Sequence, residues 1–161
     1  MPDLIDKISA STDLEGSSEG DTAMSSIGEI ARKFFDTCER GEGWEACNIY
    51  CVDDATFSVQ ADALTGINTL KEYVDWMKGL LTFVDGSYEI KAFATDEGRK
   101  SVIAFAVLHG THTGEGGPVP ATNNSVDAEY VYVMQFEGGK IRHMDKIWND
   151  GWTMKKFGWV E

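Results

Sequence analysis

The chain has few cysteine, histidine and basic residues, and each shortage narrows the classes of function open to it. Its 161 residues include three cysteines and three histidines. Three cysteines cannot form a fully paired disulfide framework, so we interpret Cys38, Cys47 and Cys51 as small buried hydrophobic residues in a reducing cytoplasm. The 27 acidic residues outnumber the 14 basic ones and give a net charge of −13. This acidity disfavours nucleic acids and anionic membranes as partners.

Long apolar runs and common catalytic motifs are missing as well. No segment approaches the ~20 consecutive apolar residues that a membrane-spanning helix needs, so we expect no membrane partner. The N-terminus lacks the basic region and apolar core that are typical of a signal peptide, which favours a cytoplasmic protein. We find no Gly-rich phosphate loop, no Gly-x-Ser-x-Gly elbow and no His-Glu-x-x-His zinc motif. The sequence therefore predicts no metal site.

The remaining composition divides the chain into an arm and one folded domain. Residues 1–24 are rich in Ser, Gly, Asp and Glu, which predicts a disordered acidic arm. A capping box at Ser26 begins a helical pattern that ends near Gly41, and another helix is expected from Asn68. After these helices the pattern changes to the two-residue period of strands. This order predicts an α+β domain over residues 25–161.

The most informative segment is VYVMQFEGGKIRHMDKIWND, residues 131–150. Gly138 and Gly139 predict a tight hairpin turn between two antiparallel strands. Because side chains alternate along a strand, His143 and Asp145 are expected on one face of the second strand. The other face is expected to carry Arg142, Met144, Lys146 and Trp148. So many ionisable groups in one strand indicate either an exposed edge or the wall of a polar cavity.

This hairpin resembles the last hairpin of the SnoaL-like polyketide cyclases. They belong to the nuclear-transport-factor-2-like superfamily, which includes limonene-epoxide hydrolases, ketosteroid isomerases and scytalone dehydratases. The segment His109–Gly114 is similar to that family's Gly-x-His-x-Gly segment, and the order of elements agrees from about Ser25 onwards. The resemblance implies a cone-shaped, curved antiparallel sheet wrapped around the N-terminal helices, a nuclear-transport-factor-2-like or cystatin-like fold. It also implies acid–base chemistry without a metal or organic cofactor, so we expect no cofactor.

Matching the hairpin glycines to the family places Tyr132 where the cyclases carry a histidine. The same register places Lys146 where they carry a catalytic aspartate. A lysine removes a carbon-bound proton only if its pKa is depressed. Asp145 could substitute if a β-bulge turned it inward. His109, which closes an apolar strand, is either a proton carrier or an ordinary rim residue. The candidate catalytic residues are thus His109, Tyr132, Asp145 and Lys146.

A second set of side chains is predicted to contact a ligand while also forming core. These are Phe57, Tyr73, Trp76, Tyr130, Met144 and Trp148. The sequence favours a cofactor-free lyase, isomerase or cyclase acting on a small cyclic or carbonyl-bearing organic compound. The alternative is a binding or dimeric assembly module of the same fold that catalyses no reaction. The segment Ser101–Leu108 is too apolar to face water, which together with the resemblance predicts a homodimer formed through the sheet.

Overall fold

The computed structural model describes residues 26–161, and the predicted acidic arm over residues 1–24 lies outside them. The helices are α1 (Ile27–Glu39), α2 (Trp44–Cys47), α3 (Leu70–Leu80) and α4 (Asp150–Phe157). Short 3₁₀ turns occupy Asn48–Tyr50 and Asp62–Leu64. The strands are β1 (Cys51–Val59), β2 (Val84–Asp96), β3 (Ser101–His112), β4 (Ser125–Glu137) and β5 (Lys140–Trp148).

Both long helices begin at a side-chain cap. The Ser26 Oγ accepts a hydrogen bond from the backbone N–H of Glu29 at 3.2 Å, which confirms the predicted start of α1. The Thr69 hydroxyl accepts from the backbone N–H of Glu72 at 3.2 Å and starts α3 in the same way. Each cap satisfies one N–H of the first helical turn, which has no partner within the helix.

The five strands form one mixed sheet in the order β1-β5-β4-β3-β2. Strands β2 to β5 pair antiparallel, whereas β1 pairs parallel with β5. The sheet is therefore mixed, and β1 departs from the antiparallel pairing that the resemblance implies. A parallel neighbour needs a long crossover, and here the connection from β1 to β5 includes α3 and three strands. The α+β class and the hairpin are confirmed, with φ of 58° at Gly138 and 78° at Gly139.

A β-bulge in β5 decides which side chains of this strand face the interior. Gln135 pairs with His143, but the next residue of β4 pairs with Ile141, so Arg142 is left without a partner in the ladder. Ile141 and Met144 are both buried, whereas Arg142 is exposed. The predicted placement of Arg142 beside Lys146 is wrong, because the extra residue resets the alternation of faces.

The two faces of the sheet have different surroundings. Helices α1 and α3 cover the inner face, where Val102, Ala104 and Ala106 are buried. On the outer face Ile103 is 44% exposed and Ile147 is 64% exposed. The described residues of the single chain thus leave part of its apolar sheet uncovered. Within residues 26–161, no helix combines the length and the apolar character that crossing a membrane requires.

The three cysteines all lie in the interior. Cys38, Cys47 and Cys51 are unpaired and at most 1% exposed. This confirms their interpretation as small buried residues. Burial also raises the pKa of the Cys38 thiol well above its ordinary value, so this sulfur is held in its unreactive, protonated form.

Candidate functional site

Five ionisable side chains meet in the interior between the sheet and the helices. Lys146 comes from β5, Glu39 from the last position of α1, Tyr73 from α3, and Tyr130 and Tyr132 from β4. All five are buried, with Lys146 6% and Glu39 5% exposed. We call these five residues the buried relay. Buried charges of opposite sign are tolerated when they are connected by hydrogen bonds, and this group meets that condition.

The hydrogen bonds of the buried relay run in one direction. The hydroxyls of Tyr132 and Tyr130 donate to the two carboxylate oxygens of Glu39, at 2.5 and 2.7 Å. Because each hydroxyl has a single proton, the Tyr73 hydroxyl donates to the Tyr132 oxygen. The Lys146 ammonium in turn donates to the Tyr73 oxygen at 3.0 Å. A chain of two hydroxyls therefore connects the amine to the carboxylate.

Aromatic rings surround the Lys146 ammonium. The Nζ atom lies 4.2 Å from the centre of the nearest ring, that of Trp148. Four further ring centres lie 5.0 to 6.0 Å from it, those of Tyr73, Trp76, Tyr130 and Tyr132. The faces of aromatic rings attract a cation, so these rings replace part of the hydration that burial removes.

Burial shifts both ends of the buried relay towards their neutral forms. It lowers the pKa of the Lys146 ammonium from 10.5 to about 8, against the opposing effect of the Glu39 charge. Burial raises the pKa of the Glu39 carboxyl, opposed by the hydrogen bonds from Tyr132 and Tyr130 and by the Lys146 charge. An amine and an acid whose pKa values burial shifts in this way, and which hydrogen bonds connect, are typical of catalytic sites.

Trp76 separates the buried relay from an apolar cleft at the protein surface. The cleft has a volume of about 590 Å³. Its walls come from α3, the chain around the end of α4 and the Gly/Pro loop, and include Trp76, Leu80, Phe83, Pro118, Met154 and Trp159. We call it the Trp76 cleft. Its size suits a small organic molecule.

The residues predicted to contact a ligand are placed around the Lys146 amine or beneath it. Trp76 and Trp148 are half-buried, and their ring centres lie 6.2 Å apart. Phe57 is buried and stacks on Tyr73 at 4.4 Å between ring centres. Met144 is fully buried. Of these side chains, only Trp76 also lines the Trp76 cleft.

Asp145 lies on the opposite face of the sheet from Lys146. Its carboxylate accepts a hydrogen bond from the Ser58 hydroxyl and lies 3.1 Å from the Nε2 atom of His143. His143 and Asp145 thus share a face, as the alternation predicts. We considered that a β-bulge could turn Asp145 inward. A bulge is present in β5, but it lies at Arg142, and Asp145 stays on the outer face.

His109 is also on the outer face and does not contact the buried relay. Its Nδ1 atom lies 2.6 Å from an Asp127 carboxylate oxygen, and its Nε2 atom lies 3.3 Å from Glu89. Hydrogen bonding to Asp127 and then Glu89 raises the pKa of the His109 imidazole above its ordinary value. The structure therefore brings together two of the four candidate catalytic residues, Tyr132 and Lys146, and separates His109 and Asp145 from them.

Glu39 is the member of the buried relay that the sequence interpretation missed. A signal for it was present in α1, where Ala31, Phe35 and Glu39 follow at four-residue spacing. This spacing places Glu39 on the buried stripe of the helix. An acid on an apolar helix face is unusual and points to a buried partner.

The described residues offer no evident metal centre. In that part of the chain, no group of three or more His, Cys, Asp or Glu side chains is arranged to hold a metal ion. The ionisable groups of the buried relay are instead an amine, a carboxylate and three hydroxyls. Such a set is suited to moving protons.

Solved structures share this fold at low sequence identity. A proposed SnoaL-like polyketide cyclase from Jannaschia sp. CCS1 is 14% identical, with a TM-score of 0.69 over 84% of this chain and 93% of that chain. AclR from Streptomyces galilaeus, a proposed hydroxylase, is 18% identical, with a TM-score of 0.65 over 82% of this chain and 84% of that chain. A proposed isomerase from Bacillus subtilis is 18% identical, with a TM-score of 0.63 over 82% of this chain and 92% of that chain. At these identities the likeness shows the fold alone.

Sequence comparison supplies the family. No match in sequence was found among curated proteins. The family model of the SnoaL-like polyketide cyclases matches residues 29–156, which include all five residues of the buried relay. Because this match spans most of the sequence, the chain belongs to the SnoaL-like polyketide cyclase family.

Proposed function

We propose that the protein is a cofactor-free acid–base enzyme of the lyase, isomerase or cyclase type. Its substrate is a small carbonyl-bearing organic compound that enters through the Trp76 cleft. The observation that carries this proposal is the Lys146 amine, which two tyrosine hydroxyls connect to the Glu39 carboxylate inside an aromatic interior. An amine of depressed pKa supplies the base that the family's aspartate would otherwise provide.

The buried relay prepares the amine for this task. A proton moved from Lys146 through Tyr73 and Tyr132 to Glu39 leaves a neutral amine and a neutral acid. The amine then takes the proton from the carbon next to the substrate carbonyl, and the electron pair of that bond moves into an enolate. Return of the proton to another carbon gives an isomerase, and loss of a leaving group from the enolate gives a lyase. In either case the ammonium formed is stabilised by the surrounding rings.

The relatives support the class of reaction but not a substrate. Structures with this fold include a proposed polyketide cyclase and a proposed isomerase. In this chain the corresponding proton transfer rests on a lysine in place of the family's aspartate. A change of base at this position is compatible with the same class of reaction on a different compound.

The proposal is tested by hydrogen exchange next to a carbonyl group. Cyclohexanone and cyclopentanone are incubated with the protein in deuterated water near the amine's pKa of about 8, and loss of the α-hydrogen signal is followed by NMR. We expect the protein to accelerate this exchange and Lys146→Met to lower the rate by about 10²-fold or more, the range found for a general base.

Two further variants serve as controls. Lys156 is exposed, although its ammonium lies 5.5 Å from the Trp152 ring, so Lys156→Met removes a lysine that rests on an aromatic ring outside the site. Its exchange rate should equal that of the unchanged protein. Asp145→Asn should also retain the rate, because this carboxylate lies on the outer face. Full activity in Lys146→Met would exclude the amine as the base.

A binding module remains the second candidate, and one observation favours it. The Lys146 amine lies 5.4 Å from the Trp76 ring centre but does not itself line the Trp76 cleft, whose walls in the described part of the chain carry no charged group. Such a cleft can hold an apolar ligand without turning it over. Ligand affinity that is equal in the unchanged protein and in Lys146→Met, with no exchange in either, would favour this candidate over the enzyme.

A further inference from the structure

We propose that Lys146 forms a covalent imine with an aldehyde or ketone that enters from the Trp76 cleft. This inference rests on the proposed function, since it places the same ligand class at the same amine, but it assigns Lys146 a bond-forming role. Within residues 26–161 the Nζ atom makes one hydrogen bond, to the Tyr73 oxygen. The remaining positions on nitrogen face aromatic rings, so no salt bridge has to break before the nitrogen attacks a carbonyl carbon.

The route to the amine passes Trp76. The centre of its ring lies 5.4 Å from the Lys146 Nζ atom, and the same side chain lines the Trp76 cleft. Among the described residues, the Trp76 indole N–H has no hydrogen-bond partner, whereas the Trp148 indole N–H donates to the Thr153 hydroxyl at 3.0 Å. Rotation of Trp76 therefore breaks no hydrogen bond within the described part, while Trp148 stays fixed. Trp76 is the movable wall between ligand and amine.

The buried relay supplies the protons for the reaction. Transfer of one proton from the ammonium to Glu39 leaves the nitrogen lone pair free to attack the carbonyl carbon. The carbonyl π bond breaks, and one proton moves from the nitrogen to the former carbonyl oxygen to give a carbinolamine. The hydroxyl of that carbinolamine then leaves as water with the proton returned by Glu39 through Tyr132 and Tyr73. One ammonium and one carbonyl compound thus yield one iminium ion and one water, with no net change in charge.

The interior is suited to the product as well as to the amine. An iminium ion retains the positive charge of the ammonium, so the five rings around Lys146 stabilise both. An iminium group also withdraws electrons from the neighbouring carbon and makes its hydrogen more acidic. A lysine at the place of the family's aspartate would then provide an electron sink that a carboxylate cannot provide.

Reductive trapping tests this proposal directly. The full chain is incubated with butanal and sodium cyanoborohydride, which converts an imine into a stable alkylamine, and the sites are mapped by proteolysis and mass spectrometry. The lowered pKa of Lys146 increases its neutral fraction near neutral pH on the order of a hundredfold relative to an ordinary lysine, and burial slows access. We expect Lys146 to be alkylated at least about tenfold faster than the exposed Lys156.

Two variants test whether fast alkylation depends on Trp76 and on the Lys146 amine. Trp76→Ala should increase the alkylation rate at Lys146 and leave that at Lys156 unchanged, because it removes the movable wall. Lys146→Arg retains a cation but forms no imine under these conditions, so the fast adduct should disappear. Mapping of the unchanged protein decides the matter even if one of these variants fails to fold. The imine is refuted if Lys146 of the unchanged protein is alkylated no faster than Lys156.

The outcome for the imine can be separated from the outcome for the proposed function. Hydrogen exchange that depends on Lys146 but survives treatment with a ketone and cyanoborohydride would retain the acid–base enzyme and overturn the imine. Fast alkylation at Lys146 without any hydrogen exchange would uphold the imine and overturn the acid–base enzyme.

Discussion

Replacing Lys146 by methionine should change how the stability of the protein depends on pH. Burial lowers the pKa of this ammonium from 10.5 to about 8. Below about 8 the amine carries its proton in both the folded and the unfolded chain, so it adds no pH dependence. Between about 8 and 10.5 the folded protein has released the proton while the unfolded chain still binds it. The free energy of unfolding therefore rises with pH in this window and levels off above it.

The magnitude follows from the size of the shift. A lowering from 10.5 to about 8 corresponds to roughly 3 kcal/mol of unfolding free energy, at about 1.4 kcal/mol per pKa unit. The unchanged protein should gain this amount relative to Lys146→Met as the pH rises from 7 to 10.5. Other titrating groups are common to both proteins and largely cancel in the difference. Methionine also keeps a long side chain in the space between Tyr73 and Trp148.

Urea unfolding followed by circular dichroism at several pH values measures this difference. Glu39 requires a control, because removing the Lys146 charge raises the pKa of its carboxyl further. The same pair is therefore compared in a Glu39→Gln background. There the loss of the carboxylate should extend the window to lower pH, because Glu39 raises the pKa of Lys146 in the folded protein. A stability difference that stays flat from pH 7 to 10.5 in both backgrounds would refute the buried amine.

Three further predictions address the relay, the assembly and the arm. Tyr132→Phe interrupts the proton path and removes a hydrogen bond to a charged group. Hydrogen exchange should therefore slow, and urea unfolding should show that the free energy of unfolding falls by about 1.5–3 kcal/mol. An unchanged exchange rate would exclude the relay. We expect a homodimer through the outer face of the sheet, so light scattering should give about twice 17.8 kDa, and Ile103→Arg should shift it to the monomer; a monomer of the unchanged protein at micromolar concentration contradicts it. Deletion of residues 1–24 should leave the thermal midpoint nearly unchanged, and a drop of many degrees would show that this segment packs on the domain.

Local patterns in the sequence predicted most of the elements of the fold. The capping box at Ser26, the helical spacing that follows it and the two glycines at Gly138 and Gly139 each act over a few residues. Such signals do not depend on distant contacts. The parallel pairing of β1 with β5 does depend on them, because it joins segments more than eighty residues apart, and no local pattern indicates which edge of the sheet β1 will occupy.

The candidate site was predicted only in part, because it too depends on contacts between distant parts of the chain. Alternation along β5 placed Lys146 and Asp145 on opposite faces of the sheet. It could not show which of the two faces would be the interior. The bulge at Arg142 was not evident from the sequence, because a bulged residue has no composition that distinguishes it from the other residues of the strand. Glu39 was missed because its helix was interpreted through its apolar residues alone. Its role depends on tyrosines that lie more than ninety residues away in the chain.

The central claim is that the Lys146 amine is partly neutral near physiological pH inside an aromatic interior. NMR titration of the protein labelled with ¹³C at the lysine ε-carbon measures this directly, with Lys146→Arg used to assign the signal. The structure predicts one lysine signal with a midpoint of about 8 that is missing from the variant, while exposed lysines titrate near 10.4. If the signal assigned to Lys146 also titrates near 10.4, the amine is not the base, and the proposed acid–base function would be contradicted.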